Sequence, residues 1–327
     1  MDKATGNITH QDISSFSYSA GQKTQTDSQK IDNVIFDSLG NPIDRKISTF
    51  FGSTATLVDY RHDRNIAYNA QRQVTDVSSY DYADSTEANL LDVTRTYSYD
   101  FNATSGVAQN MTQITYSDKE MKNITGVKVI ANKAVKSNGD VTDMTVTSFS
   151  SADTLATGRA GGLGAGSLSQ DTIHNDYDAY NRVKTETIVT MNYNAQEKIP
   201  SFDVFASARK VENTSFDSYN RMTKSTITNY KAADIANTAN ITDIQKIAVS
   251  ALGYNAYSNV TGETISTYES DGKTMIDYKV AANSYDVLGS DGKAVDPVMT
   301  ALANRRSNPV TSDTIRYAPD STELDEV

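Results

Sequence analysis

Three histidines are the residues best suited to acid–base or metal chemistry in this chain of 327 residues. His10, His62 and His174 are far apart, and none has a second histidine at the spacing of a metal-binding pair. His62 lies in the charged stretch 60–64, which is typical of a solvated strand end or loop, and His174 has the setting of an ordinary strand residue. A Ser-His-Asp triad forms only in the fold, but no Gly-x-Ser-x-Gly elbow supports one.

Covalent and cofactor chemistry find little support elsewhere in the chain. It contains no cysteine, which excludes disulfides, thiolate catalysis and cysteine-ligated metals. The glycines between Gly158 and Gly166 do not follow the dinucleotide-binding fingerprint, because no strand-then-helix pattern brackets them. Aspartates recur at intervals along the chain, whereas a catalytic residue is not repeated down an array. We therefore predict no catalytic residue, no bound cofactor and no enzymatic activity.

The formal net charge of −11 limits the partners of the protein. Nucleic acid binding needs a basic stripe that releases counterions, so we predict no nucleic-acid partner. No stretch approaches the roughly 18 apolar residues of a transmembrane helix, so we predict no membrane insertion. The acidic residues are explained by colloidal stability. Calcium is the alternative, because Asp176, Asp178 and Asn181 offer oxygen ligands, but the rest of an EF-hand loop is missing and we predict no metal site.

One short turn motif recurs along the chain and accounts for the repeated aspartates. It consists of an aromatic residue, then Asp or Asn, then two or three residues, then Gly or Asn. The clearest copies are formed by Phe36, Asp37 and Gly40, by Tyr177, Asp178 and Asn181, by Phe216, Asp217 and Asn220, and by Tyr254, Asn255 and Asn259. Weaker copies start at Tyr68, Tyr99 and Tyr285. A motif that recurs every 30 to 40 residues or so indicates a repeat architecture.

The turn motif contains the residue types that a tight β-turn requires. Gly40, Asn181 and Asn220 accept a positive φ at low cost, and we assign the same role to Asn259. The Asp or Asn that opens the turn can accept hydrogen bonds from backbone N–H groups two residues on. A second set of turns is predicted between the motifs, at Asn-Gly or Asp-Gly pairs: 138–139, 271–272 and 291–292.

The segments after the motifs have the pattern of β-strands. Residues 183–193 and 222–230, for example, alternate with period two and are rich in β-branched side chains. Several of these segments end in an aromatic residue 14 positions after the opening aromatic, as Tyr230 follows Phe216. The constant spacing predicts an aromatic pair across each hairpin.

These patterns predict an all-β fold: an antiparallel β-hairpin repeat array, as a meander or a solenoid-like sheet, with one or two short helices. Asp296 and Pro297 open a helix that runs to about Asn304, with Asp at the N-cap and Pro in the first turn. Residues 232–252 form either a short helix or an insertion loop.

A glycine-rich stretch is the best boundary within the chain. We expect an N-terminal tail, a first β-repeat region, a glycine-rich linker or loop, a second β-repeat region and an acidic tail, at residues 1–15, 16–157, 158–170, 171–317 and 318–327 respectively.

The turn motif resembles the YD repeat of RHS/teneurin-type proteins, in which Tyr-Asp-x-x-Gly-Arg-Leu/Val precedes a β run. Residues 177–183 (YDAYNRV) match with Asn in place of Gly, and residues 216–222 (FDSYNRM) match with two further conservative changes. Residues 36–41 (FDSLGN) keep the Gly and lose the Arg. The copies are spaced more widely than the family's repeats. The resemblance implies an extracellular or secreted hairpin array that curls into a spiralling sheet and forms a shell or scaffold.

We therefore expect a non-catalytic extracellular or cell-surface structural protein, which self-assembles into filaments or forms part of a larger shell. An unpaired edge strand can dock another copy, so self-association through sheet edges is the expected interaction. The alternative is a carbohydrate-binding or carbohydrate-active protein with a polysaccharide partner, since exposed tyrosines can stack on sugar rings. The absence of Trp counts against it. Residues 1–20 lack a signal-peptide pattern, which favours a mature or excised piece of a longer precursor.

Overall fold

The chain folds as a long series of β-strands. The computed structural model describes residues 6–19, 21–150, 166–194, 196, 201–251, 253–293, 295–317 and 324–326. The first half contains β1 (His10–Ser19), β2 (Gln22–Phe36), β3 (Pro42–Phe51), β4 (Leu57–Tyr68), β5 (Val74–Tyr82), β6 (Leu90–Phe101), β7 (Ala108–Tyr116), β8 (Ile124–Val135) and β9 (Val141–Phe149). The second half contains β10 (Ser167–Tyr177), β11 (Val183–Asn194), β12 (Ser201–Phe216), β13 (Met222–Tyr230), β14 (Ile241–Val249), β15 (Gly262–Glu269), β16 (Met275–Ser284), β17 (Thr311–Tyr317) and β18 (Leu324–Glu326).

Each strand pairs with the next strand along the chain, from β1 with β2 to β17 with β18. All of these pairings are antiparallel, and antiparallel neighbours can be joined by tight turns. The protein is therefore a single meandering sheet, and the predicted all-β antiparallel hairpin array is confirmed.

A cluster of buried apolar residues lies in the first half of the sheet. Its members are Tyr60, Tyr80, Tyr82, Val93, Ile114, Tyr116, Val127 and Phe149, which lie on β4 to β9. Half of them are tyrosines. The Tyr60 hydroxyl donates a hydrogen bond to Glu87, whereas the buried Tyr82 hydroxyl has no hydrogen-bond partner among the described residues. The small size of this cluster agrees with the low hydrophobic content of 38%, because a single sheet buries less apolar surface than a two-layer domain.

The helix predicted at Asp296 is confirmed. It is α1 (Pro297–Arg305), and the Asp296 side chain accepts a hydrogen bond of 2.9 Å from the Met299 backbone N–H. The carboxylate thereby satisfies one of the N–H groups that a helix leaves open at its start. No helix within the described parts of the chain has the length and apolar character needed to cross a membrane.

The helix or loop expected over residues 232–252 is instead a short 3₁₀ turn, Thr238–Asn240, followed by β14. The isoleucines of this segment lie at helical spacing, but both neighbouring strands offer it backbone partners. Ile244 pairs with Thr228 on one side and Tyr268 on the other. Pairing on both edges overrides the weak local preference of the segment.

The two β-repeat regions form one continuous sheet. β9 pairs with β10 from Phe149 opposite Ser167 to Asp143 opposite His174. Residues 151–165, which include most of the predicted linker 158–170, lie outside the described residues, and the end of that linker is already strand β10.

The predicted tails also contain strands. β1 starts at His10, within the tail assigned to residues 1–15, because β2 is long enough to pair with it. Within the predicted acidic tail 318–327, residues 324–326 form β18 against β17, and the remaining residues lie outside the described part.

The predicted aromatic pair across each hairpin is wrong. Phe216 lies opposite Met222 beside the turn, whereas Tyr230 lies opposite Ala208 at the other end of β13. A strand rises about 3.3 Å per residue, so the length of β13 separates the two aromatics by roughly 26 Å. The 14-residue spacing therefore measures one turn plus one strand, and the two aromatics mark opposite rims of the sheet.

The sheet winds into a coil, as shown by contacts between its two rims, the opposite edges at which the strands end. We call the connections after the even-numbered strands the motif rim and those after the odd-numbered strands the far rim. The far rim of β1 to β5 contacts the motif rim between β12 and β17. Strands paired in sequence order reach such distant partners only if the twisted ribbon closes on itself as a helix. We call this rim-to-rim contact the coil seam.

Candidate functional site

In five copies of the motif, the Asp or Asn that follows the aromatic residue organises its own turn on the motif rim. Asp37 Oδ1 accepts hydrogen bonds from the backbone N–H groups of Leu39 (2.9 Å) and Asn41 (2.8 Å). The same pair of bonds, from the residues two and four positions on, is accepted by Asn69, Asp178, Asp217 and Asn255. The side-chain oxygen thus substitutes for a backbone acceptor in each turn.

The residues assigned to positive φ lie in these turns, with one exception. Gly40, Asn181 and Asn220 have φ values of 78°, 59° and 62°. In the fourth copy the positive φ of 64° belongs to Ser258, so the assignment to Asn259 is wrong by one position. Asn259 is held elsewhere: it is buried, and its side-chain amide donates a 2.6 Å hydrogen bond to the Asn304 carbonyl of α1.

Two weaker sequence assignments shift in the structure. The motif expected at Tyr99 begins two residues later, where Asn102 Oδ1 accepts bonds of 2.9 Å from the N–H groups of Thr104 and Ser105. Tyr99 itself lies within β6, opposite Asn110. The Asn-Gly pair at 138–139 belongs to the motif rim, after β8, whereas the Asp-Gly pair at 271–272 belongs to the far rim, after β15.

A row of cations and aromatic rings connects neighbouring turns of the motif rim. Arg182 pairs with Asp178 of its own turn, Nε to Oδ2 at 2.7 Å, and its guanidinium lies 4.1 Å from the centroid of Phe216 in the next motif. Arg221 repeats the arrangement: it pairs with Asp217 at 2.7 Å and lies 4.5 Å from the next motif's Tyr254. Cation–π contacts of this kind stabilise by roughly 0.5–2 kcal/mol.

A second row of contacts was not anticipated from the sequence. Tyrosines that open a motif donate their hydroxyl hydrogen to a backbone carbonyl of the preceding hairpin, as Tyr177 does to Val141 at 2.9 Å. Asparagines two or three positions before the motif aromatic do the same with their amide, as Asn213 does to Val183 at 2.9 Å. Further members are Tyr68 to Pro42, Tyr254 to Met222, Tyr285 to Val260 and Asn33 to Ile8. Asn132 makes the same kind of bond to the Ala108 carbonyl, although Val135 takes the aromatic position of its turn.

These acceptors lie where the sheet pairing stops. Val183 begins β11, but the pairing of β11 with β12 begins only at Thr185, because β12 is bulged between Asn213 and Phe216. A bulge interrupts the ladder and leaves backbone groups without their usual partners. The Asn213 amide supplies the missing donor. The sequence contains a signal for this role, namely an Asn just before many motif aromatics.

The coil seam is formed by aromatic rings and backbone groups. Phe51 at the end of β3 stacks on Tyr219 in the turn after β12, with ring centroids 5.0 Å apart and planes at 25°. Tyr257, in the turn after β14, donates its hydroxyl hydrogen to the Leu57 carbonyl at 3.3 Å. The Ser17 hydroxyl of β1 donates to the Ser218 carbonyl. The seam therefore progresses along both rims in parallel.

An arginine from α1 fastens the seam. Arg305 donates to Asp81 Oδ1 at 2.8 Å and to the Tyr82 carbonyl at 3.2 Å, and it also pairs with Asp59. Burial raises the pKa of Asp81 to about 6, although the Arg305 guanidinium opposes the rise. Burial dominates, since only 19% of the Asp81 side chain is exposed.

His62 is not in a solvated loop, so that interpretation is wrong. It lies inside β4 with only 5% of its surface exposed. Its Nε2 is 2.8 Å from Asp44 and its Nδ1 is 3.1 Å from Glu87. Charged neighbours in the sequence suggested water contact, but in the fold those charges pair with one another. His174 does lie within a strand, β10, with Nδ1 2.7 Å from Asp143.

Glu87 is the centre of the cluster around His62. Burial alone would raise the pKa of Glu87, but hydrogen bonds from Lys46, His62 and Tyr60 outweigh it and lower the pKa to about 2. Lys46 Nζ lies 2.7 Å from the carboxylate, and the Tyr60 hydroxyl donates to it at 2.9 Å. Removing one partner of such a network leaves a charge that is poorly compensated. The cluster fastens the connection after β5 to strands β3 and β4.

A cavity of about 540 Å³ lies along the seam, between Phe50, Phe51, Tyr219 and Tyr257. Within the described ranges, no group of three or more His, Asp or Glu side chains is placed to hold a metal ion. Of the three residues that the calcium alternative names, Asp176, Asp178 and Asn181, Asp178 binds the Arg182 guanidinium and two backbone N–H groups. The contacts described along the seam and the rims join one segment of the chain to another.

No protein-family profile matches this sequence, and no curated protein matches it. Similar solved structures include TcdB2-TccC3 without its hypervariable C-terminal region, at 11% identity and a TM-score of 0.16, covering 93% of this chain and 19% of that chain. A Photorhabdus luminescens Tc holotoxin pore with a TccC3 mutation matches at 10% identity and a TM-score of 0.17, over 93% of this chain and 17% of that one. TcdB2-TccC3-Cdc42 matches at 10% identity and a TM-score of 0.15, over 93% and 19%. The chain thus spans about a fifth of the length of these proteins.

Proposed function

We propose that this chain is a non-catalytic structural protein, a stretch of β-repeat scaffold or shell wall outside the cell or at its surface. The coil seam is the observation that supports the proposal. Phe51 with Tyr219, and Arg305 with Asp81, join parts of the ribbon that are far apart in sequence. The repeated residues stabilise turns and contacts between rims, as expected of a protein whose function is structural.

Kinship with the YD-repeat proteins of RHS/teneurin type is the finer part of this proposal. Its support is the arginine that follows the turn in the two best copies. Arg182 and Arg221 each bind the acid of their own turn and reach the aromatic of the next motif. The pattern Tyr-Asp-x-x-Gly-Arg thus has a physical use here, as a link between successive hairpins.

Self-association through sheet edges belongs to the same proposal. Among the described residues, no strand pairs with the outer edge of β1 or of β18. β1 also exposes Ile13 and Phe16. An unprotected edge strand is a template for pairing with another chain. We propose that these edges join copies into a filament or to the rest of a shell.

Two variants of α1 test the structural role of the seam. Arg305→Ala removes the bridge to Asp59 and Asp81. Arg306→Ala is the matched control, because Arg306 caps the same helix, is half-exposed and makes only one longer bridge, 3.5 Å to Asp92, of the weak kind formed at a surface. We expect Arg305→Ala to expand the coil in small-angle X-ray scattering and to raise its cleavage by protease, and Arg306→Ala to behave as the natural chain. Indistinguishable profiles for all three proteins would refute the seam as the basis of shape.

Location and ligand need separate measurements. Antibody labelling of intact and permeabilised cells of the source organism tests the extracellular location, and labelling only after permeabilisation contradicts it.

A glycan array tests the carbohydrate alternative. We expect no glycan bound above background; binding that depends on Tyr18 or Tyr180, the most exposed tyrosines, would favour the alternative.

A further inference from the structure

Tyr180 and Tyr219 occupy the same position in neighbouring motif turns but have opposite surroundings. Both lie two residues after the motif acid, and an arginine of the same turn stacks 4.9 Å from each ring. Tyr219 is covered by Phe51 of an earlier strand, whereas 61% of Tyr180 is exposed. The turn after β10 has no earlier ribbon to meet, since the seam begins with β1.

The exposure is shared by the whole motif rim that precedes the seam. The residue two positions after the acid position is exposed in every turn from β2 to β10 and partly buried in the turns after β12 and β14. The exposed residues are Leu39, Gln71, Thr104, Asn138 and Tyr180. The strongest case is Leu39, of which 70% is exposed at the tip of a turn. An exposed apolar side chain has an unfavourable hydration free energy, which is relieved when another surface covers it.

The complementary surface is present at the other end of the same chain. The far-rim connections after β13 and β15, residues 231–240 and 270–274, are largely exposed. Tyr230 and Tyr268 lie at the ends of these strands, as Phe51 lies at the end of β3. One copy thus has an open motif rim and an open far rim, the two halves of a seam.

We propose that the open motif rim, the turns after β2 to β10, docks the open far rim of a second copy, so that molecules stack head to tail and repeat the coil seam between them. This inference depends on the proposed scaffold function and names its partner. Because the two surfaces differ, the contact is heterologous and generates an open filament unless it closes as a ring.

The charge of the chain shapes how this docking responds to salt. Each copy has a net charge of −11, so two copies repel over long distances. The exposed tips Leu39 and Tyr180 are uncharged and act only at contact. Added salt screens the repulsion and leaves the apolar contact in place. Association should therefore strengthen as salt increases, unlike that of oppositely charged partners.

Analytical ultracentrifugation of the full chain over a concentration series tests the proposal. We expect the weight-average mass to rise with concentration, and more steeply at high salt. The double variant Leu39→Ser with Tyr180→Ser should weaken association at least tenfold with little change in the melting temperature, because both side chains are exposed and, among the described residues, the Tyr180 ring contacts only the arginine of its own turn. Ile315→Ser, in β17 and away from both rims, is the control and should associate normally.

Two outcomes overturn rim docking. One is a natural chain that stays monomeric throughout the series. The other is association that survives the double variant but is lost in Ile13→Lys, a charge on the β1 edge, since that result assigns contact to edge pairing. Neither outcome touches the scaffold proposal, which is decided by the scattering and protease comparison of Arg305→Ala with Arg306→Ala.

Discussion

Tyr219 contacts both Phe51 and Arg221, and the three groups form one cluster. The Tyr219 ring centroid lies 5.0 Å from that of Phe51 and 4.9 Å from the guanidinium of Arg221, which is itself 5.8 Å from the Phe51 centroid. Arg221 belongs to the same turn as Tyr219, whereas Phe51 comes from a strand nine places earlier in the meander. The motif therefore has two uses: its arginine rigidifies the local turn, and its tyrosine joins that turn to the previous winding of the coil.

This arrangement predicts different costs for removing equivalent tyrosines. Tyr219→Ala should destabilise the protein by about 1–3 kcal/mol, because it removes a stacked ring from the seam. Tyr180→Ala should change stability by less than about 0.5 kcal/mol, as an exposed substitution does. Urea unfolding followed by tyrosine fluorescence compares the two. Equal losses would mean that the seam contributes nothing beyond the local turn.

The positive φ of Asn220, 62°, makes that position sensitive to side-chain shape. Asn220→Val should cost roughly 1–2 kcal/mol, because a β-branched residue resists this conformation. Asn220→Gly should be close to neutral, since glycine adopts it freely. Hydrogen exchange of the hairpin β12–β13 measures both effects locally. A valine variant with unchanged exchange would show that the turn tolerates a negative φ.

The hydroxyl of Tyr177 is expected to contribute through its bond to the Val141 carbonyl. Tyr177→Phe should lose about 0.5–1.5 kcal/mol, the usual net value of a protein hydrogen bond. Phenylalanine occurs naturally at the same motif position in Phe36 and Phe216, so the ring itself will be accommodated. Tyr180→Phe, whose hydroxyl is in an exposed turn, is the control and should be neutral in thermal unfolding.

Glu87 should stabilise the protein at neutral pH and lose that effect in acid. Its folded-state pKa of about 2 lies below the ordinary value of 4.5, so the stabilisation is full above 4.5 and disappears as pH falls towards 2. Glu87→Gln should therefore cost roughly 2 kcal/mol near neutral pH and progressively less in acid. Urea titrations at several pH values test this, with the exposed Glu120→Gln as control. A cost that does not vary with pH would exclude the charge as its source.

Asp81 should have the opposite pH dependence. Its folded-state pKa of about 6 lies above the ordinary 3.8, so the folded chain holds the proton more tightly than the unfolded chain. Stability relative to Asp81→Asn should therefore rise as pH falls from about 6 to about 4, by up to roughly 2 kcal/mol. Asp313→Asn, exposed on β17, is the matched control. A relative stability that instead falls over this interval would show that the Arg305 pair dominates over burial.

The sequence predicts the hairpins of this protein because the chemistry of each turn is local. Asp37 with Gly40, and Asp217 with Asn220, carry enough information within a few residues to specify a turn. Asn259 was misplaced because its copy has an extra residue before the final Asn, and the backbone assigns the strained position to Ser258 instead. Strand β14 was missed for the opposite reason, since its conformation is decided by two neighbouring strands.

The seam could not be derived in the same way. Contact between Phe51 and Tyr219 depends on the accumulated twist of the intervening strands, and no residue pattern encodes that sum. The burial of His62 likewise requires Glu87, which arrives from the connection after β5. The asparagines before the motif aromatics, such as Asn213, are a sequence signal that is interpretable once the bulges are known.

The contacts within the ribbon and the contacts between its windings differ in kind, and this difference has a mechanical consequence. Within the ribbon, strands are joined by backbone ladders. Among the described residues, the contacts between successive windings each involve a side chain, as in Phe51 with Tyr219 and Arg305 with Asp81. Tension applied along the coil axis would act first on the contacts between windings, which are weaker than the backbone ladders. The molecule should then lengthen as a spring does, by parting winding from winding while every strand stays paired, and it should recoil when the tension is released.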